Sequence, residues 1–233
     1  MFSWFRIAFS IVVVAAFAGI FSVAETSAQG GKIREIKKRM SDYNKNLTTL
    51  RAKVTMVKTN AQLGGDSDTT IGTAIYAKRP GKEPLVRIDW QKPEESLAVK
   101  DGEYVMYRPR LNIAFTGSVK DAKKDTKGNS AFAFFNMTQA QMDANYDVKL
   151  LGENETLSSG VKTWHLEMTP KTKTSYRSAE LWVDPDGVPH QTKIIEQNND
   201  TTTILLTGIE NNPALKSSNF EIKLASGTKV QKS

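Results

Sequence analysis

From Leu47 to Leu224 the sequence keeps returning to a period of two. That rhythm excludes a helical bundle and requires strands whose two faces differ. In Leu47–Lys58, for example, Leu50, Ala52, Val54 and Met56 alternate with Arg51, Lys53 and Thr55. Similar runs fall at 69–78, 85–90, 96–100, 104–107, 111–116, 146–151, 162–168, 178–183, 191–196, 202–209 and 220–224. Asp101-Gly102 joins two of them, and that dipeptide is a strong two-residue hairpin signal. Gly152, Ser159-Gly160, Asp186-Gly187, Asn198-Asn199-Asp200 and Gly227 separate others. Trp164, Leu166 and Met168 share one face of their run, and His165 and Glu167 share the other. Likewise Leu85, Arg87 and Asp89 oppose Val86, Ile88 and Trp90. A sheet this long with few helices must curl to bury its apolar face. The trough so formed is either filled by helices or shared with a ligand.

Helical spacing is confined to short stretches. Ile33, Ile36, Met40 and Tyr43 form an apolar stripe within Lys32–Asn44. Lys120–Asn129 is a charged loop, and Ala131–Met137 is intensely apolar. Thr138–Asn145 has helical character, and Asn212-Pro213 opens a helical turn. The apolar run Ile7–Ala24 follows Arg6, and small residues occupy Ser22-Val-Ala24 and Thr26-Ser-Ala28. This is the pattern of a secretory signal peptide over residues 1–28, cut after Ala28 or, alternatively, Ala24. The competing reading of that run is an uncleaved membrane anchor. Residues 29–233 then form one exported domain.

The chemistry legible in the sequence is mostly exclusion. Absence of cysteine rules out a disulfide framework, a thiolate zinc site, a thiol nucleophile and an acylated N-terminal cysteine. No nucleophile elbow, zinc-protease helix, phosphate-binding loop or dinucleotide fingerprint occurs. His165 and His190 are the only histidines. His165-x-Glu167 reads as a solvated polar face, with no third metal ligand suggested. Glu94-Glu95 point to opposite faces of a strand and do not converge. Gly64-Gly65-Asp66-Ser67-Asp68 reads as a turn, not a calcium loop. The net charge of +7 lacks the basic-aromatic clusters of a nucleic-acid binder. It suits a solubility surface, anionic partners or a membrane surface. No cofactor and no metal are expected.

One block is more specific. Tyr76-Ala-Lys78-Arg79-Pro80-Gly81 is followed by Val86-Arg87-Ile88-Asp89-Trp90-Gln91-Lys92-Pro93-Glu94-Glu95-Ser96-Leu97-Ala98-Val99. Then come Asp101-Gly102, Tyr107-Arg108-Pro109 and Lys127-Gly128-Asn129. These elements, in this order, closely resemble the periplasmic outer-membrane lipoprotein carrier family of the LolA type. Asp186-Gly187-Val188-Pro189-His190-Gln191 resembles a further family motif. Gly81–Leu85 is a local insertion, and Leu224-Ala-Ser-Gly227 stands where the family is proline-rich.

The resemblance implies a mainly β fold. It is an incomplete, half-open antiparallel β-barrel of about eleven strands with a lid of a few short α-helices. It implies an acyl-chain cavity lined here by Leu85, Trp90, Leu97, Val99, Phe132, Phe134, Phe135 and Met137. Arg79 would latch the lid. The implied protein is a non-enzymatic periplasmic monomer. Its partners would be acylated lipoproteins as cargo, an inner-membrane ABC-type lipoprotein-releasing transporter and an outer-membrane lipoprotein receptor. Two rival readings are a half-barrel that binds another lipid or senses the envelope, and a secreted hydrolase using His165 with carboxylates.

Overall fold

Twelve strands realise the alternation in a computed structural model that describes residues 21–119, 135 and 137–232, with side chains from Gln29 onward. In chain order they are β1 (Thr49–Thr59), β2 (Ser67–Ala77), β3 (Leu85–Gln91), β4 (Glu94–Lys100), β5 (Glu103–Arg108) and β6 (Ile113–Ser118). The second half holds β7 (Tyr146–Thr156), β8 (Lys162–Pro170), β9 (Tyr176–Val183), β10 (Pro189–Glu196), β11 (Thr201–Asn211) and β12 (Lys229–Lys232). All belong to one sheet, in the order β12-β6-β5-β4-β3-β2-β1-β11-β10-β9-β8-β7. Every neighbouring pair is antiparallel except β12, which runs parallel to β6. β7 and β12 are left as edges, so the barrel is half-open, as the family resemblance implies.

The register sorts side chains into rows. Met56, Ile204, Thr192, Leu181, Leu166 and Leu150 pair in succession from β1 through β11 to β7. Ala52, Ala74, Ile88, Leu97, Met106 and Phe115 do the same from β1 to β6. Directly paired residues share a face, so these rows form the inner surface of the half-barrel. Leu166, Leu181 and Ile204 are fully buried there. Each contributes roughly 1.5–3 kcal/mol by leaving water. Thr192 is the one polar member of the first row, and its buried hydroxyl has no hydrogen-bond partner among the described residues.

Helix α1 (Phe21–Asn46) extends the expected Lys32–Asn44 segment in both directions. Its backbone passes through both expected cleavage positions. Residues 1–20 lie outside the described residues, and no described helix is long and apolar enough to cross a membrane. Ile36 and Met40 of its stripe enter the inner cluster, one turn apart as a helix face requires. Lys37 is also buried, and its ammonium lies 2.6 Å from Asp143 of α2 (Gln139–Asn145). The start of α2 is fixed by its sequence. Thr138 Oγ1 accepts from Gln141 N at 3.2 Å, while Thr138 N donates to the Gln141 side chain at 2.9 Å. This reciprocal cap satisfies donors that a helix start otherwise leaves open. The chain leaves α1 through Leu47 and enters β1 under Asn212, whose Oδ1 accepts from Thr48 N at 2.8 Å.

The segment after β11 departs from expectation. Phe220–Leu224 does not form a strand, and the helical turn comes not at Asn212-Pro213 but at Ser217–Phe220, a 3₁₀ turn. The strap crosses the outer face of β3 and β4, where the sheet offers side chains instead of a free edge. Arg87 Nη1 donates to the carbonyls of Asn219 (3.2 Å) and Glu221 (2.8 Å). Phe220 is buried against Ala77 and Leu85. The strap then turns at Gly227 and adds β12 at the β6 edge.

Candidate functional site

The two halves of the inner face are covered unequally. From β7 to β11, and on β1–β3, its apolar residues merge with Ile36 and Met40 of α1 and Met142 of α2 into one buried cluster. Beyond Ile88 the same row continues as Leu97, Met106 and Phe115, each only half-buried. The next row runs Leu50, Tyr76, Val86, Val99 and Tyr104, and Val99 and Tyr104 are likewise half-buried. The apolar surface is therefore continuous, but its β4–β6 third is incompletely covered. A polar rim borders it. Glu95 pairs with Arg108 at 2.5 Å, and the Arg108 guanidinium lies 5.5 Å from the centre of the Phe115 ring.

Between that surface and the end of α1 lies an apolar cleft of about 80 Å³. Tyr43, Leu47, Tyr76, Val86, Ile88 and Phe135 are among its walls. The cleft opens onto the same apolar surface that the helices cover.

The expected site residues fall into distinct places. Trp90, Phe135 and Met137 pack against the main inner cluster. Leu97 and Val99 lie on the inner face. Phe132 and Phe134 lie outside the described residues. Leu85 is a correction: it faces outward, in the second cluster with Ala77 and Phe220. Its parity with Arg87 and Asp89 requires this, since Trp90 and Leu85 cannot share a face of one regular strand. Arg79 is engaged by a loop and a hairpin. Its Nε donates to Glu83 O at 2.8 Å and its Nη1 contacts Asp101 Oδ1 at 2.6 Å. It ties the β2–β3 loop to the β4–β5 hairpin, and holds the Asp101 carboxyl below its usual range. The charged loop Lys120–Asn129 and residues 131–134 of the apolar stretch lie outside the described residues, and with them any lid contact of Arg79 there. Within the cover Lys37–Asp143 ties α1 to α2, and Lys78, just past β2, holds the end of α1 through Nζ donating to Asn44 O at 2.9 Å.

Tyr104, Met106 and Phe115 were not singled out from sequence. The Asp101-Gly102 turn could have found the first two. Asp101 and Gly102 both have positive φ, 54° and 79°, as a tight hairpin turn requires. A two-residue turn sets Val99 opposite Tyr104 and Leu97 opposite Met106.

The histidines are structural. His190 Nε2 lies 2.8 Å from Asp184 Oδ2, and Asp184 Oδ1 also accepts from Asp186 N and Val188 N. His165 is not a solvated residue. It stacks on Trp182 with centroids 4.1 Å apart. Its Nδ1 lies 3.0 Å from Glu155 and its Nε2 3.1 Å from Glu180. The carboxylates do converge, but on the outer face, with both ring nitrogens engaged. No cluster of three metal-ligating side chains occurs among the described residues.

Burial works against the charged form of His165, yet the hydrogen bonds to Glu180 and Glu155 together outweigh it. They hold the imidazole above its ordinary pKa of 6.5. A raised folded-state pKa stabilises fully below the ordinary value and ceases to do so as pH rises through the raised one. The wild type is therefore expected to lose melting temperature above about pH 6.5 more steeply than His165→Gln. Parallel pH profiles would contradict this.

A curled, open sheet with a continuous apolar inner face under helices defines a half-barrel binding protein. The chain belongs to the family described as outer membrane lipoprotein carrier protein LolA, whose model matches residues 48–223. An outer-membrane lipoprotein carrier protein of Salmonella typhi is 26% identical over 217 residues, covering 92% of this chain and 95% of its own. That of Salmonella paratyphi A is 26% identical over 198 residues, covering 84% and 86%. Among solved structures, an uncharacterised conserved protein from Thermus thermophilus superposes with a TM-score of 0.55 at 13% identity, over 87% of this chain and 99% of that one. A chain of the Pseudomonas aeruginosa MucA/MucB complex gives 0.50 at 12%, over 82% and 61%. At these identities the two structures share the fold.

Proposed function

We propose that this protein is a periplasmic carrier that binds lipoprotein acyl chains stoichiometrically on the inner face of its half-barrel and performs no covalent chemistry. Residues 1–28 serve as its export signal, and residues 29–233 form the single carrier domain. It receives acylated cargo from an inner-membrane ABC-type transporter and passes it to an outer-membrane receptor. The observation that carries the reading is the unbroken apolar row from Ile88 to Phe115, buried at one end and half-open at the other.

The energetics suit a carrier. Burial of one methylene contributes about 0.8 kcal/mol, so several chains would bind too tightly to be released. Cargo that must displace α1, α2, Phe135 and Met137 from the same surface gains only the difference. Where α1 and α2 part from each other, loss of Lys37–Asp143 adds to the offset, because a largely buried cation loses its partner.

The test is uptake of a fluorescent fatty-acid analogue by the purified mature protein. Saturable uptake, reversed by an acylated lipopeptide, is expected. Absence of uptake would overturn the proposal. Displacement by free phospholipid but not by lipopeptide would favour a half-barrel with a different lipid cargo.

A further inference from the structure

We infer that the β12 corner of the sheet is a docking surface for an anionic bilayer. Among the described residues six large apolar side chains are exposed: Leu63, Ile71, Leu111, Leu151, Leu224 and Val230. Leu63, Ile71 and Leu151 stand singly in a turn and two strands, as isolated surface residues do. Leu111, Leu224 and Val230 lie on two segments that Asn112 holds together. Asn112 Nδ2 donates to Gly227 O at 3.1 Å, Thr228 Oγ1 to Asn112 Oδ1 at 2.8 Å, and Lys229 N to Asn112 O at 2.9 Å. These bonds clamp the 3₁₀ turn Pro109–Leu111 to the turn that follows Leu224 and precedes Val230.

The charge at this corner has one sign. From Ile222 to Lys232 the chain has three lysines and no Asp or Glu. Arg110, Lys229 and Lys232 form no ion pair among the described residues, whereas Lys100 and Arg87 nearby are held by Glu221 and Asp89. Exposed aliphatic residues on an edge that also carries cations without an ion pair among the described residues match a bilayer interface, where the former enter the headgroup boundary and the latter meet anionic lipids. Lysines at both ends of β12 oppose the alternative of strand addition by a protein. A nucleic acid would want aromatic platforms, which this corner lacks. The placement has a consequence for access. β12 abuts β6, with Gln231 opposite Phe115, so the docked edge adjoins the half-open end of the inner face.

The inference does not depend on acyl binding, and its test uses empty protein and intact vesicles. The mature chain is floated with vesicles of phosphatidylglycerol and phosphatidylcholine, and with phosphatidylcholine alone. Binding at least about tenfold tighter to the anionic vesicles, weakening with salt, is expected. Lys229→Gln with Lys232→Gln should lower it about fivefold per charge. Leu111→Ser with Val230→Ser should lower it about tenfold or more. All four positions are exposed, so melting temperature and fatty-acid uptake should stay unchanged. Ile71→Ser, elsewhere on the surface, should leave vesicle binding intact. No binding by the wild type, equal binding to both vesicles, or indifference to all four substitutions would overturn the inference. Failure of fatty-acid uptake with normal vesicle binding would instead count against the carrier reading alone.

Discussion

Gly187→Val is expected to destabilise the protein by about 4 kcal/mol, enough to unfold much of it at physiological temperature. Two effects combine. Gly187 has φ of +83°, a conformation that a β-branched residue adopts only with strain. A Cβ there would also lie 2.4 Å from both the carbonyl carbon and the oxygen of Arg39, and 2.7 Å from Met40 N. The obstacle is helix backbone, which has no rotamer to change. The β9–β10 turn is thus the seat of α1, and Arg39 Nη1 donating to Pro185 O at 2.6 Å marks the same contact. Gly102→Ala is the control. It shares the positive φ, at 79°, but faces open space, so only the conformational part remains, about 1 kcal/mol. Urea midpoints for both variants separate strain from clash. Equal losses would show that α1 does not rest on the turn.

Leu97→Asp is expected to lower fatty-acid uptake at least about 20-fold while costing about 1 kcal/mol of stability. Leu97 is half-buried at the point where cover over the inner face gives out. A carboxylate there stays wet in the empty protein but must be desolvated against an acyl chain. Leu85→Asp, on the neighbouring strand, should do the reverse. Leu85 is 6% exposed and packed on Phe220 at the outer face, so its loss should cost about 3 kcal/mol. The protein that remains folded should take up the analogue with near-normal affinity. Loss of uptake in both variants without loss of stability would place the ligand elsewhere.

Much of the architecture could be read from the alternation. Eleven of the apolar-polar runs became β1 to β11, because a strand half-buried in a sheet imposes its period on composition. The last run, Phe220–Leu224, failed because Phe220 is buried on a sheet face, Leu224 is exposed, and Arg87, a side chain remote in sequence, holds the Glu221 carbonyl. β12 has only four residues, three of them polar, and joins by parallel pairing to β6, so nothing local marks it. Leu85 shows the opposite fault: its own period held the answer, and the family pattern around it drew attention away. Arg79 has a described role that no spacing reveals, since Glu83 O and Asp101 meet it only after two loops fold together. His165 looked solvated because alternation tells which face a residue occupies, not whether Trp182 and Glu155 roof it over. The share of the inner face left half-open at Leu97, Met106 and Phe115 depends on where α1 lies, and only the assembled fold shows it.

The central claim is that acyl chains and the covering helices compete for one apolar surface. It is tested most directly by displacing the bound fatty-acid analogue with a triacylated lipopeptide and, separately, with the same peptide lacking its acyl chains. The account predicts complete displacement by the first at near-stoichiometric ratios, none by the second, and loss of the response in Leu97→Asp. Equal displacement by both peptides, or a normal response in Leu97→Asp, would contradict it.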